Sequence, residues 1–267
     1  MSRKPTGVAG RPAPVPSRPA FPARLAPGGP AFGAQPTKAS TQSIRGGQAP
    51  SGVGLDSHAV RAGMVKKLAA QAIGSAQVLQ AMTQVERHRF VDSALAGQAY
   101  EDTALPIGLG QTISKPSVVA RMLDLLVQGR NLPLGRVLEI GTGCGYQAAL
   151  LSQLAQEVYS IERLRGLHEK ARENLRILRL ANLHLLLGDG MQGYPRGAPY
   201  AAIIAAAGGR EVPACWTEQL APGGRLVAPV ERADGVQALV VIDHTPSGLR
   251  QVVLESVHFV PLKSGVI

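Results

Sequence analysis

Cysteine is scarce in this chain, and its scarcity argues against disulfide, metal and redox chemistry. Only two cysteines occur among the 267 residues, Cys144 and Cys215, and they are not spaced as metal ligands or as a redox pair. A disulfide framework is therefore not indicated, and we expect no metal site. A reducing cytoplasm is the simplest location for such a protein.

Long hydrophobic runs are also missing. No stretch approaches the roughly 18 consecutive apolar residues that a membrane helix needs. Arg3 and Lys4 lie near the start, but prolines and arginines interrupt the residues that follow, so no signal-peptide core is visible. We expect neither a membrane span nor a secretory signal.

Acidic residues are absent from positions 1–55, which hold seven lysines and arginines and ten of the chain's twenty prolines. Such a segment cannot offset its ordering entropy by burial, so we interpret it as a disordered basic arm. It supplies seven of the ten net positive charges, which leaves about +3 for a folded domain over residues 56–267. That domain is not an obvious nucleic-acid binder, although weak contact of the arm with RNA or acidic surfaces stays open.

The folded part begins with helical patterns. Apolar residues recur every four positions after Ser57, a second helix is predicted over 75–85, and an amphipathic third over 117–128. Residues 88–116 between them have no clear period but carry many apolar side chains. Long irregular segments of this kind are usually functional, and we expect this one to be packed.

Strand and helix patterns alternate from residue 136 onward. Predicted strands cover 136–140, 158–161, 184–187, 200–206 and 225–230, and predicted helices cover 146–156, 165–180 and 214–220. Two further strands, 237–242 and 251–259, have no helix between them and should be antiparallel. The fold class is therefore α/β: a mostly parallel, doubly wound sheet with an antiparallel C-terminal part and added N-terminal helices.

The first of these strands runs directly into a glycine loop, Gly141-Thr142-Gly143-Cys144-Gly145, which opens a helix. A strand that ends in glycines and leads into a helix is where open α/β sheets bind nucleotide-like ligands. Such ligands lie at the carboxyl ends of the strands. Glu162, at the end of the second strand, and Asp189, after the third, should therefore converge on the loop.

The acidic residues around the loop limit which class of nucleotide-like ligand it can bind. A nicotinamide nucleotide is the first alternative, but its fingerprint has glycine at the sixth position, where this chain has Tyr146. Glu162 can accept two hydrogen bonds from a ribose diol, and Asp189 can reach an adenine edge. Glu139, two residues before the loop, can orient it or face a ligand ammonium group. Together these features resemble the S-adenosylmethionine site of Rossmann-like methyltransferases.

Several blocks sharpen the resemblance. They are PIGLGQTISKP (106–116), VLEIGTGCGYQAALL (137–151), VYSIER (158–163), GDG (188–190), GGRLVAPV (223–230) and FVPL (259–262). These resemble the protein-L-isoaspartate O-methyltransferase family over about residues 60–262. The first block is the specific one, because generic methyltransferases lack it.

The resemblance implies an activity and a set of site residues. The enzyme would use S-adenosylmethionine to methylate the free α-carboxylate of L-isoaspartyl residues in damaged proteins. The family's active-site serine falls on Ser114, with Gln111 and Thr112 beside it, and Ile107 and Gly108 would help to form the substrate pocket. The cofactor residues carried over by motif are Glu139, Gly141, Gly143, Gly145, Glu162 and Asp189.

The chain departs from the family pattern at four positions. Cys144 stands where serine is usual, Ala201 replaces a common aspartate, Ala206 replaces a threonine, and Glu231 replaces the glycine of a PVG motif. A reactive thiol is one interpretation of Cys144 at a helix N-terminus, and plain packing is the other. Ala206 should lie near the active site, so substrate contacts or rate would be affected before cofactor binding.

Two alternatives remain. One is a methyltransferase for another substrate, either RNA, which the basic arm favours, or a small molecule. The other is a non-catalytic binding module on the same fold, which the substitutions at Ala201 and Ala206 favour. The resemblance favours a monomeric cytoplasmic repair enzyme that acts on isoaspartyl peptides and proteins without nucleic acid.

Overall fold

The computed structural model describes residues 58–71 and 73–267, so the arm predicted over residues 1–55 lies outside the described part. The described residues contain six α-helices: α1 (His58–Ala70), α2 (Ala76–Gln84), α3 (Pro116–Val127), α4 (Tyr146–Ser152), α5 (Arg165–Arg176) and α6 (Ala214–Glu218). The strands are β1 (Leu105–Gly108), β2 (Gln111–Ile113), β3 (Leu134–Ile140), β4 (Ala155–Glu162), β5 (Leu183–Leu187), β6 (Tyr200–Ala205), β7 (Leu220–Glu231), β8 (Gln237–Thr245) and β9 (Gly248–Ser256).

Seven strands form the central sheet in the order β5-β4-β3-β6-β7-β8-β9. The first five are parallel, and β8 and β9 continue the sheet antiparallel. This confirms the α/β prediction and its antiparallel C-terminal part. The chain proceeds outward from β3 to β4 and β5 and then returns to β6 on the other side of β3. The strand order therefore switches at the carboxyl end of β3, where such sheets bind ligands.

Both faces of the sheet are covered, which explains why the central strands are apolar runs rather than alternating patterns. On one face, Val137 of β3 belongs to a large cluster with side chains of α1 to α5. On the other, Leu138 and Ile140 pack with Tyr200 and with Trp216 of α6. Every residue of α4 is buried, so the helix that follows the glycine loop is held inside the core.

The two N-terminal helices are attached to α3. Met64 and Leu68 of α1 and Met82 of α2 are at most 5% exposed and share a core cluster with the apolar face of α3. The Ser75 hydroxyl accepts a hydrogen bond from an amide in the first turn of α2, and the Asp124 carboxylate of α3 accepts the Ser75 amide at 2.7 Å. This pair of contacts joins the cap of α2 directly to α3.

Several predicted helix ends were wrong, among them that of the helix predicted over 165–180, which ends at Arg176. The helix predicted over 146–156 ends at Ser152, and β4 already begins at Ala155, because the Leu154 carbonyl turns to accept the amide of Leu134 at the start of β3. The helix predicted to end at residue 220 stops at Glu218. Segment 88–116 is packed, but it contains two short 3₁₀ helices and the antiparallel hairpin β1–β2, none of which was predicted.

Within the described ranges, no helix has the length and apolarity needed to cross a bilayer. The same residues contain no group of three or more His, Cys, Asp or Glu side chains arranged to hold a metal ion.

Candidate active site

The glycine loop between β3 and α4 forms one wall of a cavity of about 250 Å³. Gly141, Gly143 and Gly145 all have positive φ angles, of 91°, 57° and 92°. The Gly141 and Thr142 amides donate to the Ile161 carbonyl at 2.9 and 3.1 Å, which fixes the loop against the end of β4. The loop thus presents backbone, largely free of side chains, to a ligand at the switch point.

Glu139 lies beneath the loop and is fully buried. Its carboxyl group accepts Gln147 Nε2 at 3.1 Å and contacts Ser160 Oγ at 2.5 Å, and Ser160 Oγ in turn contacts Thr142 Oγ1 at 2.6 Å. Burial, assisted by the charge of Glu162, raises the pKa of Glu139 to about 8 against the opposing effect of these hydrogen bonds. The geometry therefore links Glu139 to loop orientation rather than to the cavity surface.

Glu162, at the end of β4, lines the cavity and is 5% exposed. Its Oε2 accepts the Gly143 amide and its Oε1 accepts the Leu164 amide, both at 2.9 Å. Each carboxylate oxygen keeps a second lone pair. The side chain is thus fixed by the backbone on both sides and can still accept hydrogen bonds from a diol.

Asp189 follows β5 and holds two segments. Its Oδ1 accepts the Met191 amide at 2.9 Å, and its Oδ2 accepts the Gly265 amide at 2.7 Å. The neighbouring Gly190 lines the cavity. Asp189 therefore lies at the cavity edge, where it anchors a C-terminal segment that sequence reasoning did not place in the site.

We call that segment, residues 263–267, the C-terminal strap. The Ile267 amide donates to the Arg163 carbonyl at 3.0 Å, and the Ile267 oxygen accepts the Arg165 amide at 2.8 Å. The Arg163 guanidinium donates to the carbonyls of Gly265 and Ser264. Lys263 and Ile267 line the cavity, so the strap closes the side formed by β4 and Asp189.

The block at 106–116 folds over the glycine loop as the hairpin β1–β2. Ile107 lines the cavity, and a methyl group built on Gly143 would lie 3.3 Å from its Cδ1. Lys170 of α5 donates to the Ile107 carbonyl at 2.8 Å and so ties the hairpin to the cofactor side. The predicted substrate residues and the glycine loop are therefore direct neighbours.

The cavity brings together most of the predicted residues but not all of them. Its lining includes Ile107, Thr112, Ser114, Gly141, Gly143 and Glu162. Four predicted residues lie outside the lining: Gly108 at the hairpin turn, Glu139 beneath the loop, Gly145 at the start of α4 and Asp189 at the edge.

The four positions that depart from the family pattern differ in their distance from the cavity. Ala206 lines the cavity, 3.6 Å from a methyl group built on Gly141. Cys144 is buried and burial raises the pKa of its thiol to about 11, so a packing role accounts for it better than a reactive thiolate. Ala201 lies near the opposite end of β6, against Gly135, and Glu231 is exposed at the end of β7.

The fold and the site together define a class. A parallel sheet that switches at β3, a glycine loop at that switch and a fixed carboxylate at the end of β4 are the features of a Rossmann-like S-adenosylmethionine-dependent methyltransferase. Residues 59–266 match the family model of protein-L-isoaspartate(D-aspartate) O-methyltransferase, and the chain belongs to this family.

Similar proteins agree with this assignment. A protein-L-isoaspartate O-methyltransferase of Methylibium petroleiphilum is 58% identical over 233 residues, covering 85% of this chain and 86% of the relative. One from Leptothrix cholodnii is 60% identical over 218 residues, covering 80% and 77%.

Solved structures agree as well. A protein-L-isoaspartate O-methyltransferase superposes with a TM-score of 0.70 at 28% identity, covering 77% of this chain and 67% of the other. A Plasmodium falciparum structure described as a putative member, in complex with S-adenosyl-L-homocysteine, gives 0.67 at 25% identity, covering 76% and 98%. The predicted family, fold class, function and methyl donor are thereby confirmed.

Proposed function

We propose that this chain methylates isoaspartyl carboxylates at the junction of two cavities. A second groove of about 380 Å³ shares Thr112, Ser114, Ala206 and Val260 with the cofactor cavity. Its other walls include Lys115, Val118 and residues 256–259. A peptide in this groove meets a ligand of the cofactor cavity only where the two spaces join. That junction supports Ser114 as the catalytic residue that contacts the acceptor carboxylate.

The chemistry suits so sparse a site. Bound S-adenosylmethionine supplies an electrophilic methyl group on a sulfonium, and a carboxylate at pH 7 is already an anionic nucleophile, so no general base is required. The protein has to align the two groups and exclude water. In our proposal the Ser114 hydroxyl donates a hydrogen bond to the acceptor carboxylate, while Thr112, Ile107 and the Gly108 backbone shape the pocket around it.

The cofactor side follows from the fixed carboxylates. Gly141 and Gly143 leave room for the ligand, Glu162 accepts its ribose hydroxyls, and Asp189 at the edge faces the adenine end. Glu139 and Gly145 would act one layer further back, by holding the loop and the start of α4. This assignment rests on the cavity lining and on the Glu162 and Asp189 hydrogen bonds given above.

Labelled methyl transfer tests the proposal. Purified protein is offered methyl-labelled S-adenosylmethionine with a peptide containing one isoaspartyl residue or its aspartyl counterpart. Base-labile label on the isoaspartyl peptide alone is the expected result, and label on neither would refute it. Because a hydrogen bond to a charged group contributes about 1.5–3 kcal/mol, Ser114→Ala should lower kcat/KM roughly 10- to 100-fold.

The dissociation constant of S-adenosylhomocysteine should change little in Ser114→Ala, whereas a serine needed only for folding would lower cofactor binding as well. Ser247→Ala, at an exposed turn position, is the matched control and should match the wild type in both measurements.

We further propose a monomer that works in the cytoplasm without nucleic acid. The small net charge of residues 56–267 supports the absence of nucleic acid, because it gives the folded part no strong attraction for a polyanion. Light scattering measures the mass in solution, and a dimer would contradict the first point. Deleting residues 1–55 and repeating the RNA-binding and methyl-transfer assays tests whether the activity needs nucleic acid. If the deletion abolished both RNA binding and methyl transfer, the activity would depend on RNA and this point would be contradicted.

A further inference from the structure

Arg87 is an unusual side chain: a fully buried guanidinium at the start of the short 3₁₀ helix Arg87–Phe90. Its Nε donates to the Ala99 carbonyl at 2.8 Å, and its Nη2 donates to the Ser114 carbonyl at 2.8 Å and to the Thr103 carbonyl at 3.4 Å. Its Nη1 has no hydrogen-bond partner within the described residues. A buried charge normally has an ionic partner, because desolvation is otherwise expensive.

No carboxylate fills that role in the part of the chain that the structure describes. Asp102 acts on Arg87 electrostatically, but its two oxygens accept the amide and hydroxyl of Ser117, each at 2.8 Å. Burial lowers the pKa of Arg87; an arginine still stays protonated in a folded protein. A positive charge that no carboxylate contacts directly is therefore built into the described part of this core.

The charge lies directly behind the junction of the two cavities. Ser114, which accepts from Arg87, lines both spaces, and Tyr146, whose ring centroid is 5.0 Å from the Arg87 guanidinium carbon, lines the cofactor cavity. The Tyr146 hydroxyl is also buried without a hydrogen-bond partner among the described residues. Three carbonyl oxygens and an aromatic face reduce the cost of burying the cation, but none of them neutralises it.

We propose that Arg87 is the positioning residue for the acceptor carboxylate, holding the Ser114 backbone in place and supplying a buried positive charge behind the position of the incoming anion. The inference rests on the proposed role of the junction around Ser114. Arg87 does not line either cavity, so it acts through Ser114 and Tyr146 and does not touch the substrate. In a low-dielectric interior a cation acts on an anion several ångströms away much more strongly than in water.

Two substitutions separate the effect of the Arg87 charge from that of its hydrogen bond to the Ser114 carbonyl, which clamps the backbone there. Arg87→Gln can still donate to a carbonyl but carries no charge, and Arg87→Lys keeps the charge but cannot reproduce the planar fork. We expect the glutamine variant to raise the KM for an isoaspartyl peptide at least tenfold while the dissociation constant of S-adenosylhomocysteine changes less than twofold. The lysine variant should have a peptide KM much closer to that of the wild type than the glutamine variant has, whatever its Tm.

Arg89→Gln is the matched control, because Arg89 lies on the same 3₁₀ helix but is 42% exposed and pairs with Glu86. It should behave as the wild type. A lysine variant no better than the glutamine variant, or losses of peptide and cofactor binding that both follow Tm, would show that Arg87 is only a structural clamp. Absence of methyl transfer in the wild type would instead overturn the proposed function itself.

A measurement on the wild type keeps the inference testable if both variants unfold. An isoaspartyl peptide and its α-carboxamide analogue are compared as ligands between 50 and 500 mM KCl. A buried cation is screened only weakly by salt, so the preference for the carboxylate should persist within about threefold. Its collapse at high salt would assign recognition to surface lysines such as Lys115 and overturn the role of Arg87.

Discussion

The buried carboxyl of Glu139 makes the stability of this protein dependent on pH in a predictable direction. Burial raises the pKa of Glu139 to about 8 in the folded chain from an ordinary value of 4.5. Between those two pH values the folded protein retains a proton that the unfolded chain has released. Stability contributed by this group is therefore complete below about pH 4.5 and is lost as the pH rises through 8.

The magnitude follows from the displacement. At 1.36 kcal/mol per pKa unit, raising the pKa from 4.5 to about 8 corresponds to a loss of roughly 5 kcal/mol once the group ionises. Because one proton is involved, the slope in the middle of the window is about 1.4 kcal/mol per pH unit. That is a large fraction of the typical stability of a domain, about 5–15 kcal/mol.

Glu139→Gln removes the titration and keeps the shape. The amide oxygen can accept Gln147 Nε2, and the amide nitrogen can donate to Ser160 Oγ once that hydroxyl, which donates to the carboxyl in the wild type, turns towards Thr142 Oγ1. We expect the free energy of unfolding of the variant, relative to the wild type, to rise by about 1.4 kcal/mol per pH unit between pH 5.5 and 7.5. Urea denaturation at several pH values, followed by the fluorescence of the single, buried Trp216, measures it.

Glu173→Gln is the control for this experiment, because Glu173 is exposed on α5. Its stability difference from the wild type should not vary over the same pH range. A difference between Glu139→Gln and the wild type that is flat across pH 5.5–7.5 would refute the reasoning, since the carboxyl would then ionise as readily in the folded chain as in the unfolded one.

Three further predictions concern the cofactor side. Gly145→Ala should lower the free energy of unfolding by about 2–4 kcal/mol, because the new methyl group would lie 2.7 Å from Leu175 Cδ1 and φ is 92°; an unchanged urea midpoint would contradict this. Glu162→Gln should weaken S-adenosylhomocysteine binding about 10- to 100-fold, because it loses hydrogen bonds to a charged acceptor, and calorimetry showing an equal dissociation constant would remove Glu162 from the ribose site. Arg163→Ala should weaken the same binding about three- to tenfold by freeing the strap carbonyls of Ser264 and Gly265; an unchanged affinity would show that the strap is held without Arg163.

The features that could be predicted from the sequence are those set by neighbouring residues. A buried strand, a glycine turn and a helix follow one another within residues 134–152, and the carboxylate at the end of the next strand is fixed by the same local order. The parallel sheet then places Glu162 beside the loop without further information, because adjacent parallel strands end at the same edge. The convergence of the glycine loop and Glu162 at the carboxyl ends of the strands was therefore accessible from pattern alone.

The features that escaped prediction depend on contacts between distant residues. Arg87 and Ser114 are 27 positions apart, Ile107 and Lys170 are 63 apart, and Asp189 and Gly265 are 76 apart. No periodicity encodes such pairs. The direction of Glu139 was open for a different reason: both faces of β3 are covered, so an acidic residue in it points into protein whichever face it occupies.

The C-terminal strap makes the cavity depend on residues far from the glycine loop in sequence. Residues 260–263 and 267 supply cavity walls, and Asp189 and Arg163 meet their strap partners only when residues 264–267 are present. Without these residues, the cavity shared by the glycine loop, Glu162 and the hairpin would be open on one side. The cavity beside the glycine loop is thus complete only when the strap is in place, so substitutions in the strap should act on the site although they lie far from the loop in sequence.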